Sequence, residues 1–244
     1  MDHDWDVYGK DPTEEESKEK NKILSSIFFS GCFVLFLWLV QFYQWASETD
    51  LSVFGVYPGK VSGLKGIFTA PLVHADFSHL ISNSVTLFLL LFGILYFYRS
   101  SAVIVFVIIY ISNGILVWFF ARHSYHIGAS GLVYGFAAFL FFSGLFRKDK
   151  RSIALSLLIV FLYGGMVWGV LPIDPKISFE SHLSGAIIGI ACAFIFRKND
   201  PPPVYEWEEE DYEDDLEDEP DQDEENLADE TGIDEDAEPD NFRY

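Results

Sequence analysis

Apolar and polar positions along the chain fall into blocks. Residues 1–22 are polar and charged, and residues 23–46 then form a run of 24 without a charge. As a helix rising about 1.5 Å per residue, such a run crosses the roughly 30 Å of hydrocarbon in a bilayer. Five further apolar runs follow, at 77–98, 101–121, 127–146, 152–171 and 179–196. They are closed in turn by Arg99, Arg122, the basic cluster from Arg147 to Arg151, Pro172-Ile173-Asp174-Pro175, and Arg197-Lys198. The pattern predicts an all-α membrane protein: six transmembrane helices with short connections and one long first loop.

Residues 47–76 make up that loop. Glu48, Asp50, Pro58, Lys60 and Pro71 are too polar a set to span, while Val53, Phe54, Val56, Ile67, Phe68, Leu72 and Val73 are too apolar for a tether. Irregular backbone survives at membrane depth only under a cover of protein, so the loop is expected to be partly embedded and packed on the spans. Trp45, at the far end of the first run, suits an interfacial aromatic.

Charge changes the picture at the C-terminal end. From Pro201 to Tyr244 there are 22 Asp and Glu against one Arg, which equals the net −21 of the whole chain. The acidity therefore describes a tail, and the body is neutral. With few apolar residues the tail is expected to be disordered, offering at most Tyr205, Trp207 and Tyr212 to an unknown cytoplasmic partner. Three segments result: a polar cytoplasmic leader (1–22), a six-helix domain (23–198) and an acidic cytoplasmic tail (199–244). An acidic tail repels phosphate backbones, so no nucleic-acid partner is expected. Cys32 and Cys192, each within an apolar run, read as small buried hydrophobes. The first apolar run is too long for a signal-peptide core, so no cleaved signal is expected.

Basic residues give the orientation. With the N-terminus inside, eleven Lys and Arg fall on the inner side and four (Lys60, Lys65, Arg122, Lys176) on the outer side. This bias puts both termini in the cytoplasm, in a cell (inner) membrane. His79, Asn83, Ser130 and His182 then all lie at the outer ends of spans two, four and six.

Polar side chains in a bilayer that face the bundle interior mark functional sites. A serine needs a base to become a nucleophile, and a neutral imidazole within hydrogen-bond reach supplies one. Ser130 opens the fourth run between Gly128 and Gly131, and His182 opens the sixth. His79 and Asn83 are spaced i, i+4 on one face of the second run, where they offer donors for an oxyanion. Gly128 and Gly131 allow close approach of a substrate backbone. Gly185 and Gly189 form a small-xxx-small face that lets two helices meet. Tyr134, one turn beyond Ser130, can hold the imidazole from beneath. The serines at 25, 82, 143 and 156 read instead as hydroxyls bonded to a carbonyl one turn back. His123 and His126 lack a third ligand nearby, and no His-Glu-x-x-His occurs, so no metal is expected.

Taken together, Gly128-Ala129-Ser130-Gly131 with Tyr134, His79-x-x-x-Asn83 with His74 before it, and His182-x-x-Gly185-x-x-x-Gly189 resemble the rhomboid intramembrane serine proteases across about residues 23–198. The resemblance implies a rhomboid-like six-helix bundle without a cofactor, cleaving transmembrane protein substrates near the outer membrane face. It implies Ser130 as nucleophile and His182 as general base in a dyad. It also implies an oxyanion hole from His79, Asn83 and the Ser130 N–H, with Tyr134 packed on His182 and a structural role for His74. Trp168 on span five is placed either at a lateral gate or in the core. The family's Trp-Arg pair is missing from the first loop, as is the acidic residue near the end of span two, and Glu180 stands where a small or apolar residue is usual. The alternative is a non-catalytic rhomboid-like protein that binds transmembrane clients, although such relatives typically lack the serine or histidine retained here.

Overall fold

The computed structural model describes residues 12–174 and 177–201. Among these residues seven α-helices follow in order: α1 (Pro12–Ala46), α2 (Gly66–Thr69), α3 (Phe77–Phe97), α4 (Ala102–Phe120), α5 (Ser130–Arg147), α6 (Lys150–Tyr163) and α7 (Phe179–Ile195). Among the described residues five helical stretches are long and apolar enough to cross a membrane: Glu14–Ala46, Phe77–Phe97, Ala102–Phe120, Ser130–Arg147 and Lys150–Val170. With 17 residues, α7 is a shorter apolar sixth. The chain is thus the all-α membrane bundle expected from its pattern. Among the described residues the sole β pairing is an isolated bridge between Val56 and His126.

Burial is uneven, and it locates the centre. Half of the α5 span is buried inside the protein, against 17% for α1 and for the span that begins with α6. Phe136, Phe139, Leu132 and Leu140 of α5 meet Leu80, Leu87 and Ile94 of α3 and Ile109 of α4 in the core. α7 packs chiefly on α5 and also on α4. Phe28, Leu39 and Phe161 point outward from α1 and α6, as lipid-facing positions should. Lipid tails are as apolar as leucine, so close van der Waals fit and polar bridges must hold such helices together.

Several boundaries depart from expectation, each for a local reason. α1 begins at Pro12, so the second half of the leader is helical. Proline suits the first helical turn, Glu14 and Glu15 complement its dipole, and Glu14 pairs with Lys18 at 2.8 Å. Span five is no continuous α-helix: it tightens to a 3-10 helix over Gly164–Val170, which opens with the adjacent glycines Gly164 and Gly165 that release the α geometry. Cys192 is buried as expected, but Cys32 is exposed. The leader's first eleven residues and the tail beyond Pro201 lie outside the described residues.

The first loop packs on the spans through short helical turns. Gln44 Nε2 donates to the His74 carbonyl (3.0 Å), and the Tyr110 hydroxyl donates to the Phe68 carbonyl (2.6 Å). Val56, Ala70 and Val73 are buried, while Val61 and Phe68 stay exposed at 81% and 62%, an apolar rim for the interface. At the opposite end of the bundle, Asp200 accepts from the backbone and hydroxyls of Ser100 and Ser101 at the start of α4. Arg147 donates to the carbonyls of Phe196 and Asp200 (3.0 and 2.7 Å), fastening the end of α7 to the end of α5.

Candidate active site

The approach to α5 runs through Gly128, whose φ of 103° is a region that side chains rarely adopt. A Cβ at that position would also lie 2.7 Å from His79 Cε1. The Gly128 N–H donates to the Ala70 carbonyl (2.9 Å) and the Ala129 N–H to His74 Nε2 (3.3 Å). These bonds end the irregular chain at Ser130, three residues later than the apolar run suggests. Ser130 is therefore the first helical residue, where backbone N–H groups have no partner within the helix.

Because Nε2 of His74 accepts a hydrogen bond, its proton sits on Nδ1. Burial, with the neighbouring His79 adding to it, pushes the His74 pKa down to about 4. The ring is a neutral support under the loop that leads to Ser130.

Ser130 Oγ lies 2.8 Å from His182 Nε2. The other ring nitrogen, Nδ1, lies 2.8 Å from the Gly169 carbonyl oxygen. A carbonyl only accepts, so Nδ1 carries the proton and Nε2 presents its lone pair to the Ser130 hydroxyl. Tyr134 stacks flat on the imidazole, with centroids 4.1 Å apart and planes 10° from parallel. Its hydroxyl donates to the Met166 carbonyl at 2.8 Å. Both carbonyls belong to the 3-10 segment, so the break in span five supplies the groups that orient the ring. Any side chain at Gly169 would intrude, because its Cβ would fall 1.8 Å from the Tyr134 oxygen.

Glycine contacts bring the two helices to this distance. A Cβ on Gly185 would lie 2.0 Å from the Gly131 carbonyl oxygen, and one on Gly189 would lie 2.1 Å from that of Gly135. α5 and α7 therefore meet backbone to backbone over two turns, with no room for a methyl group.

The N-terminus of α7 is tied to the segment entering α5. Ser178 caps α7 by accepting from the Ser181 N–H, and its hydroxyl lies 2.6 Å from His126 Nδ1. His126 Nε2 donates to the Arg122 carbonyl at 2.9 Å, which leaves Nδ1 to accept from Ser178. Burial lowers the pKa of His126, in keeping with this neutral form. The His126 backbone exchanges bonds of 3.0 and 2.9 Å with Val56 of the first loop. Asn113 Nδ2 donates to Ser181 Oγ at 3.1 Å, and Arg122 Nε lies 3.7 Å from Glu180. A cavity of about 20 Å³, with room for one water, lies among Pro71, Asn113, His126, Gly128 and Ser181.

A rhomboid domain model matches residues 61–199. Uncharacterized proteins of Mycobacterium tuberculosis and Mycobacterium bovis are 36% identical to the chain over 172 residues, 67% of this chain and 72% of theirs. An uncharacterized protein of Mycobacterium leprae is 32% identical over the same length, 68% of its own. The chain belongs to the rhomboid family. It is thus an integral membrane protein of a family of intramembrane proteases.

In this rhomboid the structure brings Ser130, His182, Tyr134, Gly185 and Gly189 together as described, and sets His79 against Gly128 and His74 against Ala129. The His74 and His79 rings meet edge to face, 5.1 Å between centroids. Asn83 is buried one turn beyond His79, and its Nδ2 donates to the His79 carbonyl at 3.1 Å. Trp168 is 65% exposed and so takes no part in the core. Gly135, Gly169, Asn113 and Ser178 carry parts of this arrangement that spacing alone does not mark, and His126, weighed in the sequence only as a metal ligand, instead joins the two segments. Asn113 had a visible signal, an amide in an otherwise apolar span; the others become meaningful only through tertiary partners.

Proposed function

We propose that this rhomboid is an intramembrane serine endopeptidase that cuts transmembrane proteins near the outer face of a cell membrane. The observation that carries the reading is the 2.8 Å approach of Ser130 Oγ to His182 Nε2, with the opposite nitrogen turned to a carbonyl. That tautomer is the one a general base requires.

Ser130 Oγ attacks the scissile carbonyl carbon while its proton passes to His182 Nε2. The imidazolium that forms keeps its Nδ1 proton on the Gly169 carbonyl, a neutral dipole in the place of a third carboxylate. The tetrahedral oxyanion is met by the unpaired Ser130 N–H at the start of α5, with His79 and the second amide proton of Asn83 as side-chain donors. His182 then returns the proton to the leaving amine, giving an acyl-enzyme. Water attacks that ester as the same imidazole takes its proton, and the acyl carbon–Oγ bond then breaks as His182 returns the proton to Ser130 Oγ. The bias of basic residues supports placing the site at the outer face, with both termini and the acidic tail cytoplasmic. The leader, the helical domain and the tail remain three functional segments in this reading.

Reconstitution with a single-span substrate tests it. Two new fragments are expected from the wild type, and none from Ser130→Ala or His182→Ala at equal folded amounts. Cleavage by Ser130→Ala would refute the reading.

A further inference from the structure

A cavity of about 570 Å³ opens between α1, α3 and α4 on the flank away from Ser130. Its two ends differ in chemistry. Ser25, Ser26 and Arg99 line one end, while Cys32, Phe36 and Phe106 belong to the apolar remainder. Arg99 Nη1 donates to Ser25 Oγ at 3.3 Å. Among the described residues no carboxylate lies within ion-pair distance of Arg99, which is exposed at the mouth. Lys22 stands at the same end, its Nζ 4.5 Å from the centre of the Tyr96 ring, with Glu19 3.7 Å away as a partial counter-charge.

The length of the groove is informative. From Ser25 to Phe36 α1 advances eleven residues, about 16 Å at 1.5 Å per residue. One leaflet of a bilayer holds half of about 30 Å of hydrocarbon. That length matches the depth of a single leaflet, with Arg99 at one end of the groove and an apolar wall along the rest. A protein ligand would need side chains matched to a smooth hydrocarbon wall; a phospholipid has the required shape and polarity already.

We propose that this groove is a site for one anionic glycerophospholipid, with its phosphate on Arg99 and an acyl chain along Cys32 and Phe36. A basic pocket between membrane helices favours an anionic over a zwitterionic headgroup. The site lies in the leaflet opposite the Ser130–His182 pair, and it does not depend on the proposed protease activity.

Native mass spectrometry of the full chain, delipidated and then given equal phosphatidylglycerol and phosphatidylcholine of the same acyl length, tests the proposal. Wild type is expected to retain phosphatidylglycerol about fivefold over phosphatidylcholine. Arg99→Gln abolishes that preference, and Arg99→Lys, which keeps the charge, preserves most of it. Cys32→Trp, which fills the apolar body, lowers retention of both lipids. Equal retention by wild type, an unchanged preference in Arg99→Gln, or displacement by millimolar inorganic phosphate would overturn the assignment.

Discussion

The Gly169 carbonyl oxygen lies 2.8 Å from Nδ1 of His182, and this bond decides which nitrogen faces Ser130. It exists because span five loses its α geometry at Gly164 and presents a backbone carbonyl sideways. Gly169→Ala would drive a methyl group to within 1.8 Å of the Tyr134 oxygen. We predict a fall in kcat/KM of at least about 100-fold, the effect of an ångström-scale displacement of a reacting group. Adding Tyr134→Phe removes the clashing atom while keeping the ring stack, so the double variant should recover part of the loss. A double variant no better than Gly169→Ala would contradict this coupling.

Stability should fall with acid in a defined window. An unfolded histidine takes up a proton near pH 6.5, whereas buried His74 resists protonation until about pH 4. Between those values the unfolded chain binds more protons, so stability is full above pH 6.5 and declines as the pH drops toward 4. The span of the shift corresponds to about 3 kcal/mol. Thermal unfolding in detergent from pH 4 to 8 checks this, with a shallower slope expected for His74→Gln.

Backbone contact between α5 and α7 makes two glycines irreplaceable and leaves a third free. Gly185→Ala places a Cβ 2.0 Å from a backbone oxygen that cannot swing aside, while Gly165 has nothing within 4 Å. Overpacking should cost Gly185→Ala about 3 kcal/mol or prevent folding, and Gly165→Ala should lie within about 0.5 kcal/mol of wild type. Denaturation midpoints of the two variants give the comparison. Similar midpoints would mean that the helices do not meet this closely.

Ser178 caps α7 and bonds to His126, so it joins the two strands of chain that deliver His182 and Ser130. Losing the cap alone costs about 1 kcal/mol. We expect Ser178→Ala to lower both thermal stability and kcat, and Ser178→Thr, which keeps a hydroxyl, to restore most of each. A variant stable but fully active at Ser178→Ala would show the link to be dispensable.

Much of this architecture was legible in the chain. Apolar runs bounded by charged residues or proline marked the helices, and glycines four apart on the sixth run announced a helix that must touch another. The proximity of Ser130 and His182 was legible for the same reason, since each opens an apolar run beside small residues. His126 was less so: its two ring nitrogens are explained by Ser178 and the Arg122 carbonyl, neither of which is marked by spacing. The break at Gly164 and Gly165 carried a signal, two adjacent glycines in a span, but its use as the orienter of His182 depends on a fold-level contact. A helical turn at the end of the leader was foreseeable, but its extent back to Pro12 was hidden by polarity, because an i, i+4 charge pair and a proline first turn support a helix in water without an apolar face.

Reaction with a fluorophosphonate, followed by peptide mass mapping, probes the central pairing most directly. A single adduct on Ser130 is expected, absent from Ser130→Ala and formed at least about 100-fold more slowly in His182→Ala. An adduct formed equally fast without the His182 imidazole, or located on another residue, would contradict that pairing.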